Sequence, residues 1–189
     1  MKEPNRWMWR ISVAAGLAAV LISFGINRWP AIAGGVVGST AQSRVAPCLP
    51  GRSVPILPSP HVSRQQAEHA KYNSVPPTSG PHFPFAPAPG IYTDPMPDGL
   101  MVHALEHGHV NIQYAVGTPA ATIQQLTELA KRYPTDVLLA PYPKLDRGIA
   151  LTAWGRIDLL DRFDEERIVR FVVELHGRYD HGWTRTDPC

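Results

Sequence analysis

The chain has 189 residues, with 18 basic and 16 acidic side chains and a formal charge of +2. A balance this even, without a basic stripe, excludes nucleic acid as the expected partner. No G-x-S-x-G elbow, Gly-rich phosphate loop or C-x-x-C pair is present, so the common serine-hydrolase, nucleotide-binding and dithiol-redox signatures are absent.

Residues 11–26 (ISVAAGLAAVLISFGI) form an uncharged apolar run. Lys2, Arg6 and Arg10 precede it, and Trp7, Trp9 and Trp29 border it. Basic residues on one side and tryptophans at both ends suit a bilayer-spanning helix whose N-terminus stays in the cytoplasm. Residues 1–33 are therefore expected to be a single-pass anchor in the cell membrane, with the rest on the periplasmic or extracellular side. The run falls slightly short of the roughly 20 residues a span requires. Ala31-Ile32-Ala33 also offers a small-x-small site, so a cleaved signal peptide is the alternative; Arg28 and Pro30 favour the anchor. Export to an oxidising compartment leads to the expectation of a Cys48–Cys189 disulfide.

Residues 34–46 are small and polar, a flexible tether. Residues 47–97 hold thirteen of the twenty prolines. Proline cannot donate to a sheet ladder or sit inside a helix, so this stretch is expected as a looped wrap, with a short helix over 63–71. Tyr72, Phe83, Phe85 and Tyr92 are available to pin it to a domain at 98–189, making 47–189 one folded unit. In that domain Asp98 is placed to cap a helix over 99–107, and Gly108 to end it. In the following HVNIQYAV, Val110, Ile112 and Tyr114 share one face, while His109, Asn111 and Gln113 share the other, expected to face solvent. Thr118 and Pro119 open a helix with an Ile123, Leu126, Leu129, Tyr133 stripe, and Pro134 stops it. The runs DVLLAPY (136–142) and IALTAW (149–154) are expected to pair as a hairpin. Asp164 caps a last helix that buries Ile168, Phe171, Val172 and Leu175. The expected fold class is α+β: an N-terminal transmembrane helix, a Pro-rich wrapping segment, and a small mixed β-sheet packed by two helices on one face.

Six of the eight histidines lie between positions 61 and 109. His103 and His107 are four apart, so on a helix their rings share a face and can share a metal ion. Glu106 lies on that same side. His82, after a proline-stiffened turn, and His61, at the head of the short helix, are further nitrogen donors. Met101 is a candidate soft ligand; with Met96 nearby, it tips the expectation to copper ahead of zinc. His103-Ala-Leu-Glu106-His107 also spells H-x-x-E-H, the order of inverted zinc peptidases, in which Glu106 is the base and Glu165, Glu166 or Glu174 the downstream ligand.

The strings YNSVPPTSGPH (72–82), Gly90-Ile91-Tyr92, VHALEHGHV (102–110) and APYP…IALTAWG (140–155) together resemble the bacterial domain-of-unknown-function family 3105, over about residues 61–177. The resemblance implies an exported or membrane-anchored protein whose motif histidines are His61, His82, His103 and His107, with Glu106 the acidic position. It implies no activity and says nothing of Met96 or Met101. The expected function is a membrane-tethered, extracytoplasmic metal-binding accessory protein. Its partner would be a membrane metalloenzyme or another metal-handling protein. The alternatives are a zinc-dependent hydrolase with Glu106 as base and a metal-free interaction subunit of a membrane complex.

Overall fold

A computed structural model describes residues 48–184. The elements in chain order are β1 (Arg52–Ser53), α1 (Arg64–Glu68), β2 (Gly90–Ile91), α2 (Asp98–Glu106), β3 (Val110–Tyr114), α3 (Ala120–Ala130), β4 (Val137–Pro141), β5 (Ile149–Ala153), β6 (Arg156–Leu160), α4 (Glu165–Leu175), β7 (Tyr179–Asp180) and β8 (Trp183–Thr184). Six strands make one mixed sheet in the order β1-β6-β5-β3-β4-β2, and β7 with β8 forms a separate two-stranded ribbon.

The sheet is built around β3. Its parallel neighbour β4 is reached through α3, with Ile112 opposite Leu139, and its antiparallel neighbour β5 sets Ile112 opposite Leu151. Because side chains alternate along a strand, this register gathers Val110, Ile112, Tyr114, Val137, Leu139, Ile149 and Leu151 on one face. That face is covered by Leu126 and Leu129 of α3 and by Ile168, Phe171, Val172 and Leu175 of α4. Burying the four α4 side chains contributes roughly 1.5–3 kcal/mol each. Asp164 caps α4 by accepting from the Arg167 amide.

Several expectations are corrected. No helix among the described residues is long and apolar enough to cross a membrane. The expected transmembrane helix, the anchor span 1–33 and the tether 34–46 lie outside the described residues, so the fold is stated without a membrane span. The expected Cys48–Cys189 disulfide also reaches outside the described residues: Cys48 is not free, and Cys189 lies beyond them. The sheet also has more strands than its sequence pattern suggested, and is covered on both faces. Asn111 and Gln113, expected at the surface, are 0% and 1% exposed. Their face lies under α2, where Met101 and Ala104 pack with Leu138 and Ala140, and the Asn111 amide donates to the Met101 carbonyl at 3.1 Å. Polar residues on one face of this strand marked covering by α2 rather than by water.

The β4–β5 hairpin is replaced by a different topology. Those strands flank β3 on opposite sides, and the hairpin is β5–β6, with Ala153 opposite Arg156 around a turn containing Gly155 at φ +67°. Two shorter corrections concern helix starts. Asp98 and Thr118 do not cap; Pro97 and Pro119 hold those positions. Asp98 instead receives Lys144 at 2.6 Å, and the Thr118 hydroxyl donates to the Ala115 carbonyl.

Candidate metal centre

Two stretches of the proline-rich segment run side by side where their histidines fall. His61 and His82 form an isolated parallel bridge, with the Val62 amide donating to the His82 carbonyl at 2.8 Å and the His82 amide to the Pro60 carbonyl at 3.2 Å. The PPTSGPH loop is fixed from several directions. Ser79 Oγ accepts from the Leu57 amide, Ser59 Oγ accepts from the Gly80 amide, and the Tyr72 hydroxyl donates to the Pro81 carbonyl. Burial, then the Asp98 charge, raises the Tyr72 phenol to about 12, so it stays a donor at neutral pH. Ser63 starts α1 with a reciprocal capping box to Gln66, directly after His61-Val62.

Helix α2 carries the second pair of imidazoles. Its His103, Glu106 and cap residue His107 face the loop histidines, and the rings come together as a cluster. His61 lies parallel to His103 at 5.0 Å between centroids, and His103 parallel to His107 at 4.8 Å. His82 stands edge-on to both His61 and His103, at 5.0 and 4.9 Å. A fifth ring, not singled out from the sequence, completes the set: His181, 4.4 Å from His107 and edge-on to it. The donor atoms of His61, His82 and His103 lie within 4.8 Å of one another, as do those of His103, His107 and His181.

The hydrogen bonds fix which nitrogens are left to coordinate. His82 Nδ1 is 2.8 Å from the Gly80 carbonyl, and His103 Nδ1 bonds the Phe83 carbonyl. A carbonyl oxygen only accepts, so each Nδ1 carries a proton, and in the neutral form of each ring the lone pair is on Nε2. His181 Nδ1 is held in the same way by Asp180 Oδ1 at 2.6 Å. Those Nε2 atoms then face further acceptors. Glu106 Oε2 is 3.1 Å from His82 Nε2, 3.5 Å from His61 Nε2 and 4.0 Å from His181 Nε2. His103 Nε2 is 2.9 Å from His107 Nε2. Fixing one ring nitrogen on a carbonyl or carboxylate while the other points at a common centre is how proteins orient metal-binding imidazoles. Burial holds His103 below the ordinary histidine pKa. Its bond to Phe83 works the other way, and the His82, His107 and His61 rings again lower it. The net direction favours the neutral imidazole, the form that binds metal.

Gly108 sets the position of the fifth ring. It has φ +79°, and a Cβ there would lie 2.6 Å from the Tyr179 carbonyl oxygen and 3.0 Å from Gly177 Cα. This bare backbone lets the chain after α4 dock on the end of α2, with the Gly177 amide donating to the Gly108 carbonyl and the His181 amide to the Glu106 carbonyl. Tyr179 stacks on Trp154 at 4.6 Å, which steadies the ribbon from its other side. The available signal for His181 was its Asp180-His181-Gly182 context, an acidic neighbour and a turn-forming glycine, beyond the histidine-rich stretch.

The structure thus gathers His61, His82, His103, His107 and Glu106, and adds His181. It does not bring Met101 in. Two residues before His103, Met101 lies on the other side of the helix and is 1% exposed, in the core with Ala104, Leu138 and Ala140; Met96 packs against the same cluster. Glu165 and Glu166 open α4, where Glu165 pairs with Arg132, and Glu174 pairs with Arg170.

The family profile described as "Protein of unknown function (DUF3105)" matches residues 61–187. The chain belongs to this family. The matched span opens at His61 and runs past His181, so all five clustered histidines of this DUF3105 member lie within it. No curated protein and no solved structure matches the chain significantly.

Proposed function

We propose that this DUF3105 domain is an imidazole-based metal-binding module that serves in metal handling or in the maturation of a metalloenzyme. The observation that carries this is the set of fixed Nδ1 atoms. The Nε2 lone pairs of His82 and His181 are turned toward one carboxylate oxygen, which His61 also approaches, and His103 Nε2 faces His107. A neutral ring presents a lone pair to that oxygen, a contact that a proton or a cation bridges, and a transition-metal ion supplies the positive charge together with directed bonds. In a tetrahedral ion with bonds of about 2.0–2.1 Å, neighbouring nitrogens stand roughly 3.3 Å apart. The 4.8 Å bound on each triad is reached from there by small ring movements.

The donors are nitrogen and carboxylate oxygen, a set that suits zinc or copper(II). Met101 and Met96, the soft donors that would favour copper over zinc, pack in the core and do not join this set. His61, His107 and His181 are exposed while His82 and His103 are buried. An ion held here is anchored from below and reachable from above, which suits uptake and release. The hydrolase alternative has less support. Its base must stand off the metal and hold a water, whereas Glu106 Oε2 sits among the ligand nitrogens and α2 ends at that residue.

The test is equilibrium dialysis of the full-length chain against zinc(II), with bound metal measured by mass spectrometry. The parent is expected to retain stoichiometric metal. His61→Ala/His107→Ala, at exposed positions that leave the core intact, is expected to lower affinity by more than the roughly 10–100-fold typical of losing an outer partner. A parent that holds no zinc defeats the proposal.

A further inference from the structure

We infer that the cluster is built for two ions bridged by Glu106, an inference that rests on the metal-binding proposal. Five imidazoles and one carboxylate converge here, and a single tetrahedral ion takes four donors. The donors also separate. His61 and His82 group with His103 on one side, and His107 and His181 group with His103 on the other. His103 has Nδ1 committed to the Phe83 carbonyl, so it has one lone pair and serves one ion. Its Nε2 is 2.9 Å from His107 Nε2, which assigns it to the helix side.

The division is then three and three. His103, His107 and His181 hold one ion. His61, His82 and Glu106 hold the other. Glu106 Oε2 lies 3.1 and 3.5 Å from His82 and His61 Nε2, and 4.0 Å from His181 Nε2 in the opposite set. The one oxygen Oε2 faces both sets, and from this position the carboxylate spans both ions, as in two-metal sites with ions about 3.5–4 Å apart. Three of the six ligands are exposed, which leaves coordination positions of both ions on the solvent side for exogenous oxygen ligands.

The experiment counts zinc per full-length chain after dialysis, for the parent, His61→Ala and His181→Ala, with circular dichroism verifying each fold. The expected counts are two, one and one. A parent count of one overturns the two-ion inference and leaves the metal-binding proposal standing; a count of zero overturns both. A variant that keeps two ions also overturns it, because the second ion then lies elsewhere. In a second measurement, the parent loaded with two equivalents of copper(II) is expected to show spin coupling in its paramagnetic resonance spectrum. A full-intensity signal from two isolated ions contradicts the shared carboxylate.

Discussion

Replacing Gly108 by alanine tests how the fifth imidazole is delivered, without touching any ligand. The left-handed conformation at φ +79° costs an L-residue roughly 1–2 kcal/mol. In addition, the new Cβ would lie 2.6 Å from the Tyr179 carbonyl oxygen and 3.0 Å from Gly177 Cα, both backbone atoms that cannot swing aside. The chain after α4 must therefore move away from α2 and take His181 with it. Gly177 is the control: its φ is +63°, and nothing lies within 4 Å of its Cβ position. Gly177→Ala is expected to lose about 1–2 kcal/mol in urea unfolding, near 3–6 °C in Tm for a chain of this size. Gly108→Ala is expected to lose about 3–4 kcal/mol, since displacement of packed backbone adds to the same conformational cost. It should also weaken zinc binding, which Gly177→Ala should leave nearly unchanged. Equal stability losses with equal zinc affinities would refute the docking role of Gly108.

Other consequences follow from the same geometry. Phe171 is fully buried between α4 and the sheet, so Phe171→Ala should cost about 3–5 kcal/mol by urea denaturation. Asp180→Ala removes the acceptor on His181 Nδ1 and should lower zinc affinity roughly tenfold with the melting curve of the metal-free chain unchanged. Burial lowers the pKa of both His103 and His109, with neighbouring imidazoles adding to the effect. The unfolded chain thus binds more protons than the folded one once pH falls below about 6.5. The metal-free protein should be at full stability above that pH and lose stability as pH drops toward the folded-state values; a flat Tm from pH 7.5 to 5.5 contradicts this. Arg64→Ala breaks only an exposed i,i+4 pair with Glu68 and should change stability by less than about 0.5 kcal/mol.

The helices of the globular part were legible because each carries its pattern within itself. The Ile168, Phe171, Val172, Leu175 stripe and the Asp164 cap identify α4 without reference to the rest of the fold. Strand pairing was less so. DVLLAPY and IALTAW read as neighbours in sequence, but their partner is β3, and nothing local records that choice. β6 went unread because Asp158 and Arg156 break its apolar run, although the Arg167 guanidinium, α4 against sheet, satisfies Asp158. The burial of Asn111 and Gln113 depends on α2 folding over that face, a tertiary fact. At the site, the i,i+4 spacing of His103 and His107 and the stiffened approach of His82 were visible as chemistry. His181 was not, because its place depends on Gly108 admitting a chain segment more than seventy residues away. Copper was suggested by methionines whose positions, once α2 is seen to bury them, belong to the core.

X-ray absorption at the zinc edge on the zinc-loaded full-length chain addresses the centre itself. The account predicts a first shell of nitrogen and oxygen at about 2.0–2.1 Å with strong imidazole multiple scattering, diminished in His82→Ala/His103→Ala. A shell of oxygen alone, or an imidazole signal that survives the double substitution unchanged, would place the ion away from these rings and contradict the assignment.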